Sequence, residues 1–134
     1  MKENLLTRIA TWIAIFLSII ILAFLCIYPR ATTHKMATYI LEELDSAKEA
    51  LYNYDQATAY KHIYNAHKRL EEKSAPLMMF FDHGAILDIH TELAISLAIV
   101  YVGTTSEVIA SIEAAISSVE YLDEIEKFGW EELL

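Results

Sequence analysis

The sequence has little that breaks a helix: 134 residues include three glycines and two prolines. A β-rich chain needs more of both for its turns, whereas the abundant Ala, Leu, Ile and Glu suit helix interiors. An all-α fold follows as the first expectation. Cysteine is equally scarce. Cys26 is the single thiol, which excludes an intrachain disulfide and leaves the redox compartment unread. The glycines stand alone, so there is no phosphate-cradling loop or dinucleotide fingerprint. No G-x-S-x-G, HExxH or other zinc pattern appears either. We therefore expect no enzyme, no catalytic residue and no cofactor. Positive charge is also in deficit. A net charge of −9 and a pI near 4.9 repel a phosphate backbone, so no nucleic-acid partner is expected.

What the chain does contain is a charge-free run over residues 9–28, bracketed by Arg8 and Arg30. About twenty residues at 1.5 Å rise span roughly 30 Å, the thickness of a bilayer's hydrocarbon core. This predicts a transmembrane helix with the lipid bilayer as a partner. Trp12 and Tyr28 lie near its ends, where amphipathic rings favour the membrane interface, and Pro29 is expected to end it. A cleaved signal peptide shares the basic start, but its apolar run is usually about 7–15 residues and an A-x-A-like site follows. Neither holds here, and Leu25 before Cys26 opposes lipoprotein processing. The reading is an uncleaved signal anchor of a single-pass protein of the cell membrane.

The domains would be a short cytoplasmic tail (1–8), the anchor (9–29) and a helical extracytoplasmic domain (30–134). Lys2 and Arg8 on one side nearly balance Arg30 and Lys35 on the other. Flanking charge therefore does not decide orientation. Removing Lys2, Arg8 and Glu3 from the ten cations and nineteen carboxylates leaves eight against eighteen, an acidity that an outward location tolerates.

Beyond the anchor, Met36, Ile40, Leu44, Ala47, Leu51 and Tyr54 form one helical stripe, opposite Glu42, Glu43, Asp45 and Glu49. Asn53 reads as a stop and Asp55 as the next N-cap, which makes a tight hairpin. The second helix places Ala59, Tyr60, Ile63, Ala66, His67, Leu70, Leu77 and Phe81 on its apolar side. Pro76 either bends that helix or follows a new cap at Ser74. Farther on, Gly103 ends a third helix, and Thr104 to Glu107 reads as a capping box. Val108, Ile112, Ala115, Val119 and Leu122, with Ile109 and Ile116, make the stripe of a last helix that Gly129 should stop. Trp130, Leu133 and Leu134 should dock on the bundle. The architecture expected is one transmembrane helix followed by a small antiparallel bundle of about four helices in two hairpins.

The segment FFDHGAILDIHTELAISLAIVYVG, residues 80–103, holds histidines, carboxylates and an apolar run. At 100° per residue, Asp88, Thr91, Glu92 and Ser96 gather on one side, while His83 and His90 lie opposite with Leu87, Ala94, Leu97 and Tyr101. The two histidines are roughly 10 Å apart along the axis, so either could bind metal only with ligands from another helix. Core or boundary histidines bonded to carbonyls or carboxylates are the simpler reading. The alternative is a metal- or proton-responsive site around His67, His83 and His90. His62 and His34 look exposed. The run over residues 93–102 is apolar nearly all round and too short to cross a bilayer. It is either enclosed by the fold or covered by another chain. Leu93, Ile95, Ile99 and Val102 are the candidate interaction patch, for a protein partner or a homo-oligomer. Glu113, Glu120 and Glu124 form an acidic ridge on the last helix, read as solvated surface.

Phe80, Phe81, His83, Ile86, Leu87, Asp88 and Ile89, with the aliphatic ending Leu133-Leu134, give the chain a further resemblance. It resembles a family of small bacterial membrane proteins catalogued as domain of unknown function 4363. That resemblance implies one N-terminal membrane helix before a helical extracytoplasmic domain, and no activity. The function expected is a membrane-anchored, non-enzymatic interaction or scaffold module.

Overall fold

The computed structural model describes residues 2–81 and 83–131. Four helices account for nearly all of them: α1 (Lys2–Tyr52), α2 (Gln56–Leu77), α3 (His83–Ile99) and α4 (Thr105–Glu131). No strand occurs among the described residues, and the all-α expectation holds. The chain divides into two compact units, Met1–Thr32 and Thr33–Leu134.

In the first unit every side chain from Asn4 to Tyr28 is exposed, and the helix contains an 18-residue window of mean hydropathy 2.8. By length and composition this helix can cross a membrane. Trp12 and Tyr28 are both exposed, and Tyr28 stacks on Phe24 with ring centroids 5.3 Å apart. Pro29 does not end the helix as expected, because α1 runs through it to Tyr52. Proline removes one N–H from the ladder at a cost of about 3 kcal/mol. The residues that follow contain no further breaker, and their stripe of Met36, Ala37 and Ile40 is buried, which offsets that loss.

The second unit is a four-helix bundle made by the C-terminal part of α1 with α2, α3 and α4. Its core is one cluster, contributed by Ile40, Leu44 and Leu51 of α1, Ile63 and Leu70 of α2, Ile86, Ile89 and Leu93 of α3, and Ile112, Val119 and Leu122 of α4. Polar pairs tie α1 to its neighbours. Glu43 accepts from Asn65 at 3.3 Å and meets His62 Nδ1 at 2.8 Å, and the Arg69 guanidinium lies 4.2 Å from the centre of the Tyr39 ring. Lys48 donates to Glu113 of α4 at 2.7 Å, so one member of the acidic ridge is paired within the chain. That hydrogen bond is the main reason the Lys48 ammonium titrates above its ordinary range.

The turns carry the chemistry their sequences indicate. Asp55 caps α2, its carboxylate accepting from the Thr58 N–H at 3.1 Å and the Thr58 hydroxyl at 2.6 Å. Thr104 and Glu107 form a reciprocal capping box, the Thr104 N–H donating to Glu107 Oε2 at 2.7 Å and the Glu107 N–H to Thr104 Oγ1 at 3.2 Å. Gly103 lets the chain turn closely, since a Cβ there would stand 3.0 Å from the Ile99 carbonyl oxygen. Tyr54 does not continue the α1 stripe: it sits in the turn with φ 57° and is exposed. Ser74 does not open a new helix, because α2 continues through Pro76 to Leu77. Gly129 does not stop α4, which reaches Glu131. A single glycine costs a helix only about 1 kcal/mol. The expected docking of Leu133 and Leu134 lies outside the described residues, as does that of the Trp130 side chain.

Candidate functional site

Two features of the bundle surface stand out. The first is where α2 and α3 pass each other. His67 and Glu71 are four residues apart on α2, which puts them one above the other on one face. The antiparallel return of the chain brings His90 of α3 alongside. The rings of His67 and His90 lie 4.7 Å apart, tilted by 49°. Glu71 Oε1 is 3.8 Å from His67 Nδ1 and 3.7 Å from His90 Nε2. These separations exceed hydrogen-bond length, yet one ligand atom from each residue falls within 4.8 Å of the others. His67 is mostly covered, and the side chains of His90 and Glu71 are 43% and 56% exposed. Beside them opens a groove of about 400 Å³ lined by Leu70, Glu71, Ser74, Met78, Ile86, Leu87 and His90.

Of the three histidines expected to work together, two meet. His83 opens α3 in an exposed position outside this group. Glu71 completes the group and is not singled out by the sequence. Its signal in the sequence is only the spacing H-x-x-x-E, which reads as an ordinary helix ion pair until α3 is in place. His62, expected to be exposed, is partly covered by its contact with Glu43, whereas His34 is exposed and meets Asp123 at 3.3 Å.

The second feature is the outward face of α3. Leu93 faces the core and is fully buried, which removes it from the expected interaction patch. Ile99 is partly buried against the core. Ile95 and Val102 are exposed, Val102 at 84%, and with Ala98 and Tyr101 they leave an outer surface without charge on the C-terminal side of Glu92, whereas Asp88 is exposed one turn earlier. Tyr101 extends it toward α2, its ring 5.6 Å from Tyr60, which stacks in turn on Tyr64. Ser96, expected on the polar side, is instead buried. Its hydroxyl lies 2.8 Å from that of Ser111 on α4, and both are within reach of the Glu92 carbonyl oxygen. The buried line is therefore Ile86, Ile89, Leu93, Ser96 and Val100, a three-four alternation with a serine inside it.

A family model described as Domain of unknown function (DUF4363) matches residues 28–133. The chain belongs to this family. No curated protein and no solved structure matches it. The matched span includes His67, Glu71, His90 and the whole outer face of α3.

Proposed function

We propose that this DUF4363 protein is a single-pass membrane-anchored interaction module that works by contact rather than catalysis, its bundle held outside the cytoplasm by the N-terminal part of α1. The observation that carries the reading is the exposed, uncharged face of α3, with Ile95, Ala98, Tyr101 and Val102 outward and no charged residue between Glu92 and Glu107. Apolar surface left in water favours a cover.

The occupant we favour is a second copy of the chain. At net charge −9, an uncharged strip is where two copies approach without bringing carboxylates together. Anchoring in one bilayer also confines the copies and raises their effective concentration. Sedimentation of the full chain in detergent tests this: a dimer is expected for the native sequence and a monomer for Ile95→Glu and Val102→Glu. A native chain that stays monomeric at high loading refutes the second-copy reading. Outward placement of the bundle predicts that protease added to sealed cells, stripped of any outer membrane, removes it.

A further inference from the structure

We propose that His67, Glu71 and His90 form a binding site for one divalent transition-metal ion of the zinc class, with an open coordination position on the groove between α2 and α3. The inference is independent of the docking reading, since it concerns different side chains. Two imidazoles and one carboxylate are the donor set that zinc accepts when it keeps a fourth position free. Calcium and magnesium prefer oxygen throughout, so they fit these residues poorly. Ligands about 2.0–2.1 Å from a tetrahedral ion stand roughly 3.3–3.4 Å from one another. The Glu71 oxygen is already 3.8 and 3.7 Å from the two ring nitrogens, and all three donor atoms lie within 4.8 Å. The remaining approach is a few tenths of an ångström for the carboxylate and more for the ring pair. Glu71 and His90 are exposed enough to rotate into it.

The site also has the anatomy of a cross-link. Its ligands come from two helices separated by the turn after Leu77, so a bound ion would staple the α2–α3 hairpin. The open position would face Leu70, Met78, Ile86 and Leu87, with Ser74 as the nearby hydroxyl. A predominantly apolar wall there suits a small ligand with one donor atom and an apolar body.

The test uses the full chain in detergent, stripped with chelator and free of affinity-tag histidines. Cobalt(II) titration should give the visible absorption of a four-coordinate ion and saturate at one ion per chain. Zinc should displace the cobalt and raise the melting temperature, and chelator should reverse both effects. His67→Gln, Glu71→Gln and His90→Gln should each weaken binding by at least about the 10–100-fold that loss of an outer partner costs, with helical circular dichroism unchanged. His83→Gln and His62→Gln should bind as the native chain does. No stoichiometric binding, binding that survives His67→Gln/His90→Gln, or equal loss in His83→Gln would overturn the proposal.

Discussion

At the scale of single residues, the most exposed polar contacts make the clearest prediction about pH. Asp55 titrates below the ordinary carboxylate range because the Thr58 hydroxyl, and then its backbone N–H, donate to it. Glu107 is lowered in the same way by the Thr104 backbone N–H and then its hydroxyl. Each group thus binds its proton less readily folded than unfolded. Its stabilising contribution is complete above about pH 4, the unfolded range, and fades as pH falls through the lower folded value. Denaturant midpoints of the native chain should therefore drop more steeply between about pH 5 and pH 2 than those of the Asp55→Asn/Glu107→Gln variant. Equal slopes would contradict this. The buried Ser96–Ser111 contact gives a second prediction: each serine to alanine should cost about 1 kcal/mol. The double variant should cost less than the sum, because the hydroxyls share partners. Additive urea-unfolding energies would mean that they act separately.

At the scale of the element, α3 separates what sequence can reveal from what it cannot. The α4 stripe, Val108 through Leu122, has charged and small polar residues between its apolar positions. A 3.6-residue period therefore points to one face, and those residues are buried. The run over residues 93–102 has apolar residues on every side and no preferred direction. Its orientation is set by α4, which claims Ser96, and by α2, which meets Tyr101 through Tyr60. A projection that ranks side chains by polarity puts Ser96 outside for that reason. Glu71 was hidden differently, since its site is completed by His90, nineteen positions later, only when the hairpin closes. Caps were legible because they are local: Asp55 and Thr104–Glu107 need only their next three residues. Pro29 and Gly129 look like stops in the sequence and are not, since one weakened turn does not end a helix with good formers or a buried stripe beyond it; of the two readings of Pro76, the one that keeps α2 continuous holds. The inside–outside division of α3 is measurable. In the monomeric Val102→Glu background, Leu93→Ala should destabilise by about 2–5 kcal/mol, and Ile95→Glu by roughly 0.5 kcal/mol or less. Comparable losses at the two positions in denaturant titration of the full chain would place Ile95 inside.

At the scale of the whole molecule, the chain carries an apolar segment fit to cross a bilayer and an acidic bundle whose α3 exposes an uncharged strip after Glu92. If the segment is a resident anchor, the full chain should stay in the membrane pellet after an alkaline wash, and a chain beginning at Thr33 should not. The acidity bears on association as well. Two copies at net −9 repel through their remaining surface, and salt screens that repulsion over about 10 Å at 0.1 M. Dimerisation should therefore strengthen as ionic strength rises. The most direct measurement is disulfide trapping in native membranes, with Cys26→Ser removing the natural thiol and one cysteine placed at a time. The account predicts rapid dimer capture at one or more of Ile95→Cys, Ala98→Cys and Val102→Cys, and little at Glu120→Cys on α4. Capture that is absent along α3, or as fast at Glu120→Cys, would contradict it.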